Sequence, residues 1–232
     1  MKKLNSAIIA AGGRGTRLDP ARPKQFLELL GKPIIIHTLE RFERCDAIDE
    51  IVLVLPADEL NTFVPIAESA NITKLKKIVV GGPTRAVSVK NGLDAVDEAS
   101  EVVAVHDAAR PLISEADIIN VVQRAAKVGA ACPVAAVTDT VKTVEGGYIT
   151  GTVDRTKLRR ALTPQAFRYD ILKRAFEDTD LGEDVTDECY LVEKLGLEVA
   201  AVEGDSRNIK ITRPEDLVVA EAYLRSMERE RK

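Results

Sequence analysis

Apolar runs and amphipathic stretches alternate along most of the chain. Residues 6–11, 51–55, 77–80, 102–106 and 131–137 are short and β-rich, and each is bounded by Gly, Pro or charge. They predict strands. Helical patterns fall between them, at 34–44, 58–70, 84–99 and 115–128. In the last, Ile118, Ile119, Val122 and Ala125 recur at helical spacing and form one apolar stripe. Continuous apolar strands alternating with helices indicate a mainly parallel sheet covered on both faces. Ligands of such sheets sit beyond the carboxyl ends of the strands.

The rhythm breaks after Asp139. Residues 140–153 alternate apolar and polar positions around Gly146-Gly147, a hairpin signal. An isolated two-stranded ribbon is marginal in water, so this one is expected to pack on something else, such as a second subunit. The plainer reading is a surface hairpin without a partner. The α/β pattern then resumes, with helices expected at 169–177, 186–195 and 213–227 and strands at 198–202 and 208–211. No internal repeat, low-complexity segment or long linker is visible. The expected fold is therefore α/β: a single Rossmann-like, three-layer domain over 1–232, with a mostly parallel sheet and a protruding β-hairpin arm at 138–156.

Composition narrows the function. The formal net charge of −4 argues against a general nucleic-acid binder, which is usually basic. Five Phe, four Tyr and no Trp leave little for base-stacking platforms. Cys45, Cys132 and Cys189 are far apart, and with two histidines they offer no zinc-site spacing. No apolar run approaches the roughly 18 residues of a membrane span, and Met1-Lys2-Lys3-Leu4 runs into the first strand without a signal peptide. A cytoplasmic protein without nucleic-acid or membrane partners is expected.

The candidate chemistry begins at the end of the first strand. Ala10, Ala11, Gly12, Gly13, Arg14, Gly15, Thr16 and Arg17 open a loop that continues to Pro23-Lys24-Gln25. Glycines let main-chain N–H groups approach a polyphosphate, and Arg17 and Lys24 can neutralise it. Neither Gly-x-Gly-x-x-Gly nor the P-loop pattern is met. The bland reading, ordinary solvated charge, fits a single lysine better than this cluster.

Three other segments carry polar groups at strand or helix ends. His106-Asp107-Ala108-Ala109-Arg110-Pro111 closes a strand, and Asp107 could hold a divalent cation against phosphate oxygens, or merely cap a turn. His106 reads as a packed histidine, and Arg110 as the partner of a nearby carboxylate. Gly81-Gly82-Pro83-Thr84-Arg85 followed by Ser88 offers main-chain groups and a small hydroxyl to a flat base. Thr152–Arg155 and the stretch around Lys210 add cations, and Thr186-Asp187-Glu188 reads as a helix N-cap with acids in the first turn.

Taken in order across nearly the whole chain, these segments, with Asp139-Thr140 and Ala161-Leu162-Thr163-Pro164-Gln165, resemble the 2-C-methyl-D-erythritol 4-phosphate cytidylyltransferase family of isoprenoid biosynthesis. The resemblance implies a reaction of CTP with methylerythritol 4-phosphate that gives the CDP-alcohol and pyrophosphate, with Mg²⁺ bound alongside CTP. It implies a homodimer in which the arm of one subunit reaches the other's active site. Residue by residue, Arg17 and Lys24 match the catalytic basic pair and Asp107 the acid near the metal. Ala10, Ala11, Gly12, Gly13, Arg14, Gly15, Gly82, Arg85, Ser88 and Ala108 match nucleotide-binding positions. Thr140, Arg155, Thr163, Thr186 and Lys210 match the binding of the phosphate substrate.

One departure is the loop, which is a residue longer than the family's common Ala-Ala-Gly-x-Gly-x-Arg and shares Gly-Thr-Arg-Leu with sugar-1-phosphate nucleotidylyltransferases. A ribitol-5-phosphate cytidylyltransferase would carry nearly the same motifs, and a nucleotide-binding regulator without turnover would need only the glycine loop. The implied mechanism is in-line attack of the substrate phosphate on the α-phosphorus, with catalysis by positioning and charge stabilisation and no protein nucleophile.

Overall fold

The structure, a computed structural model, describes residues 3–12, 26–182 and 185–230. In chain order the elements are β1 (Leu4–Ala10), β2 (Glu28–Leu29), β3 (Lys32–Pro33), α1 (Ile34–Arg44), β4 (Glu50–Leu55), α2 (Leu60–Ser69), β5 (Leu75–Val80), α3 (Arg85–Ala95), β6 (Ser100–Asp107), α4 (Glu115–Val128) and β7 (Ala130–Ala136). They continue with β8 (Lys142–Glu145), β9 (Tyr148–Thr152), β10 (Arg159–Ala161), β11 (Gln165–Arg168), α5 (Tyr169–Asp178), α6 (Glu188–Lys194), β12 (Ala200–Glu203) and α7 (Pro214–Glu230).

Eight strands form the central sheet. Strands β5, β4, β1 and β6 lie side by side and parallel. Beyond β6, β11 runs antiparallel, and β7 pairs with β11 and β10 antiparallel and with β12 parallel. Because side chains alternate across a strand, β1 serves two cores. Ala7 and Ile9 pack with Leu39 and Phe42 of α1, Phe63 of α2 and Val121 of α4, whereas Ile8 packs with Val89 and Leu93 of α3 and Leu172 of α5. Burial on both faces is why β1, β4 and β6 read as unbroken apolar runs rather than alternating ones. Gly92 lets α3 lie close: a Cβ there would stand 2.7 Å from Ile8 Cγ2 and 2.9 Å from Val54 Cγ2.

The chain moves from β1 outward to β4 and β5, then returns to place β6 on the opposite side of β1. That reversal opens a crevice at the strands' carboxyl ends, where Ala10 and Asp107 are neighbours in register.

The predicted hairpin is present. Strands β8 and β9 form a two-stranded sheet separate from the main one. Gly146 (φ 56°) and Gly147 (φ 85°) supply the two positive φ values that a type I′ turn needs. Val144, Tyr148 and Ile149 are exposed along it.

Several expectations are corrected. Residues 208–211 form no strand: the segment crosses the end of the sheet, tied by the Ile211 N–H to the Ala109 carbonyl and by the Asn208 side chain rather than by a ladder. The helix expected over 84–99 stops at Ala95, because Val96 turns extended. That expected from 58 begins as a short 3₁₀ turn over Ala57–Glu59. The cap of α6 is Asp187, one residue later than Thr186: its carboxylate accepts the Tyr190 N–H at 3.0 Å. Strands β10 and β11 have no counterpart in the apolar pattern, since Pro164 between them disguises a run already short. Among the described residues no helix is long and apolar enough to cross a membrane.

Candidate active site

The crevice holds a cleft of about 170 Å³. Its walls come from the end of β1 (Ala10, Ala11, Gly12), the turn into α3 (Gly82, Thr84, Arg85, Ser88), the end of β6 (Asp107, Ala108, Ala109) and Lys210. Two glycines are needed where β1 and β5 end. A Cβ on Gly12 or on Gly81 would come within 2.9 Å of Ser88 Oγ. That hydroxyl is committed to the loop itself: it donates to the Thr84 carbonyl at 2.8 Å and accepts the Gly82 N–H at 3.0 Å. Thr84 in turn caps α3, accepting the Val87 N–H at 3.1 Å. The main chain of Gly12 and Gly82, packed against Ser88 and Val87, is thus held in place at the cleft.

Asp107 is the carboxylate of the cleft and is buried. Among the described residues three cations face it: Lys210 Nζ at 2.9 Å, Arg110 Nε at 3.3 Å and Arg85 Nε at 3.4 Å. Burial alone would push its carboxyl up, but Lys210, Arg85 and Arg110 outweigh it and hold the group well below the usual carboxylate range. The same network holds Arg85 charged: burial works against the cation, but Glu188 and Asp107 more than compensate. Burial pushes the Glu188 carboxyl up, and Arg85 pulls against it.

Behind Asp107 lies a layer of buried polar groups. Thr163 Oγ1 accepts the Asp107 N–H at 3.2 Å and lies 3.0 Å from His106 Nδ1. His106 Nε2 lies 3.1 Å from the Arg110 carbonyl. A neutral His106 with its proton on Nε2 satisfies both contacts: Thr163 donates to Nδ1, and Nε2–H donates to Arg110. Burial lowers the His106 pKa to about 3, consistent with this form. Arg110 Nη1 donates to the Asn208 carbonyl at 2.9 Å, and Asn208 Nδ2 to the Thr163 carbonyl at 2.7 Å. The segment carrying Lys210 is thereby bound to the strand end carrying Asp107. His106 is a packed histidine and Arg110 a carboxylate partner, as the sequence suggests.

This architecture belongs to a known family. A family model described as 2-C-methyl-D-erythritol 4-phosphate cytidylyltransferase matches residues 6–226. The chain belongs to that family. A relative from Syntrophus aciditrophicus, bearing that name, is 42% identical over 98% of this chain and 99% of its own. One from Geobacillus kaustophilus is 42% identical over 95% and 96%. A crystal structure of 4-diphosphocytidyl-2C-methyl-D-erythritol synthase from Anaerococcus prevotii superposes with a TM-score of 0.84 at 33% identity, covering 96% of each chain. The chain is accordingly a nucleotidyltransferase of mixed α/β fold.

In this cytidylyltransferase the expected residues divide into groups. The structure brings together Ala10, Ala11, Gly12, Gly82, Arg85, Ser88, Asp107, Ala108 and Lys210 around one cleft. Thr163 sits just behind them, buried, with its hydroxyl turned to Asp107 and His106. Thr140 and Arg155 are on the exposed arm and do not line the cleft, and Arg155 Nη1 donates to the Thr138 carbonyl. Thr186 is exposed ahead of α6. Gly13, Arg14, Gly15, Arg17 and Lys24 lie outside the described residues. The sequence marks Glu188 only as a first-turn acid. The available signal is its place one residue beyond the cap, on the side of α6 that also carries buried Leu191 and Val192.

Proposed function

We propose that this chain transfers the cytidylyl group of CTP to 2-C-methyl-D-erythritol 4-phosphate, forming 4-diphosphocytidyl-2-C-methyl-D-erythritol and pyrophosphate. The family match over nearly the whole chain carries the reading, and the glycine-walled cleft at the topological switch is the kind of site it requires.

The nucleotide lies along the glycine-rich main chain at Gly12 and Gly82, with Arg85, Ser88 and Ala108 around it. Lys210 and Arg155 hold the phosphate of the alcohol, with Thr140 and Thr186 nearby. Thr163 fixes the Asp107 backbone from behind. A substrate phosphate oxygen attacks the α-phosphorus in line, and pyrophosphate leaves on the opposite side. Arg17 and Lys24 stabilise the negative charge that builds on the α-phosphoryl oxygens and the leaving group.

Magnesium is held by few protein ligands where a substrate supplies phosphate oxygens, commonly one or two carboxylates. The cleft fits that pattern. It has one carboxylate, Asp107, whose Oδ1 is engaged only at 3.4 Å by Arg85, and no group of three or more metal-ligating side chains occurs among the described residues. Asp107 and the CTP phosphates would hold the ion, which when bound neutralises triphosphate charge.

The arm points to a dimer. Val144, Tyr148 and Ile149 are exposed on a ribbon that pairs with no other strand among the described residues. A ribbon of this kind gains stability by packing on another surface. A second copy of the chain is that surface, and its cleft receives Arg155 and Thr140.

The test is release of pyrophosphate with each nucleoside triphosphate crossed against methylerythritol 4-phosphate, ribitol 5-phosphate and sugar 1-phosphates. CTP with methylerythritol 4-phosphate is expected to dominate. Preference for ribitol 5-phosphate, or for UTP with a sugar 1-phosphate, overturns the assignment.

A further inference from the structure

Beside the cleft lies a buried carboxylate to which the transfer reaction assigns no role. Glu188 is fully buried at the start of α6. Its two oxygens take Arg85 Nη1 at 2.6 Å and Nη2 at 3.1 Å, a bidentate fork. Arg85 meets Asp107 only with Nε, at 3.4 Å.

Glu188 is itself anchored. The N–H groups of Glu188 and Cys189 both donate to Gln165 Oε1 at 3.1 Å, and Gln165 Nε2 donates to Asp187 Oδ2 at 2.8 Å. Gln165 belongs to β11 and stands opposite Val105 of β6, the strand that ends in Asp107. The start of α6 is therefore fastened to the strand beside the one that carries the cleft's carboxylate.

We propose that Glu188 is a positioning residue for the transfer reaction: it holds the Arg85 fork edge-on, so that Arg85 braces Asp107 through a single N–H and does not close over it. The inference rests on the cytidylyltransferase reading of the cleft. Guanidinium groups pair bidentately with carboxylates when free to do so. Among the described residues, Asp107 and Glu188 are the carboxylates that Arg85 contacts. Without Glu188, the fork turns onto Asp107, where Lys210 and Arg110 already sit on Oδ2. That covers Oδ1 and shifts the carboxylate. Displacements of about 1 Å in a catalytic constellation can cost on the order of 10²-fold in rate.

The experiment compares the full-length wild type with Glu188→Gln, Arg85→Gln and the double variant. Thermal unfolding is measured first, then steady-state kinetics with CTP and methylerythritol 4-phosphate. Glu188→Gln is expected to lower kcat by at least about ten-fold while KM for either substrate stays within about three-fold, because alignment rather than affinity is lost. Arg85→Gln lowers kcat as well, and the double variant is no slower than Arg85→Gln alone, because Glu188 acts through Arg85. Breaking one half of a buried pair can prevent folding. In that case Glu188→Asp, which keeps the buried charge but shortens its reach to Arg85, carries the test: it folds, and its turnover still falls. Near-normal turnover of Glu188→Gln or of a folded Glu188→Asp, or losses that multiply in the double variant, overturns the proposal. A wild type that forms no CDP-alcohol overturns the reading of the cleft itself, whereas an active wild type with discordant variants overturns only the role of Glu188.

Discussion

Lys210 Nζ lies 2.9 Å from Asp107 Oδ2. The lysine comes from the irregular segment after β12 and the aspartate from the end of β6, so the pair closes one side of the cleft. Lys210→Met keeps the stem and removes the charge. Asp107 retains Arg85 and Arg110, so the fold survives. The expected result is a rise of at least about ten-fold in KM for the phosphate substrate, equivalent to about 1.4 kcal/mol, with CTP binding kept. Initial rates over a range of methylerythritol phosphate check this, and an unchanged KM removes Lys210 from the substrate site.

Lys24→Ala is expected to lower kcat by about 10²–10³-fold, the cost of losing one preorganised donor aimed at developing charge. CTP still binds, since the glycine-walled cleft remains. Single-turnover kinetics together with calorimetric titration of CTP separate the two effects. Near-normal turnover would take Lys24 out of the mechanism.

Arg155→Ala is expected to raise KM for methylerythritol 4-phosphate and leave KM for CTP unchanged. Its place on the exposed arm also predicts that the effect crosses subunits. Mixed dimers of Arg155→Ala and Lys24→Ala protomers should contain one intact site and, at methylerythritol 4-phosphate concentrations well below the KM of Arg155→Ala, show more activity than either parent. Ile149→Asp, on the exposed face of the ribbon, should give a monomer in sedimentation experiments. A dimeric and active Ile149→Asp protein contradicts the docking role of the arm.

Acid should weaken the fold from pH 6.5 downward. His106 has a pKa of about 3 in the folded state through burial, against 6.5 for the unconstrained side chain. Between these values the unfolded chain takes up a proton that the folded chain refuses. The stability that His106 contributes is therefore complete above pH 6.5 and falls as pH drops towards 3, by up to about 1.4 kcal/mol per pH unit. Burial lowers the pKa of His37 as well, and it adds to the slope. Asp107, held below the usual carboxylate range, contributes a further loss that begins near pH 4. Urea unfolding at pH 4.5 and 6.5 measures the difference. His106→Gln should flatten it, and an unchanged slope would show that His106 does not set the acid limit.

The sheet core, most helices and the hairpin are legible in the sequence because their signals are local. Apolar runs such as Ile51–Leu55 need no partner to be recognised, and Gly146-Gly147 states its turn directly. The strands that lie antiparallel against β7 are not legible: Arg159–Ala161 carries two arginines, and Gln165–Arg168 begins with a polar residue whose side-chain oxygen is taken up by two N–H groups at the start of α6. The same limit applies in the site. Motif order locates Asp107, Arg85 and Lys210, but nothing in the spacing says that Arg85 and Lys210 meet on one carboxylate. Thr163 reads as a substrate hydroxyl, whereas its bonds run to the Asp107 N–H and His106. Long-range pairing decides both, and one-dimensional patterns do not carry it.

Phosphorus NMR of the wild type mixed with CTP, Mg²⁺ and methylerythritol 4-phosphate addresses the central assignment most directly. The expected spectrum loses the triphosphate resonances and the phosphomonoester and gains free pyrophosphate with a coupled pair from a new P–O–P linkage. Persistence of the phosphomonoester, with CTP untouched or merely hydrolysed to CMP, would contradict it.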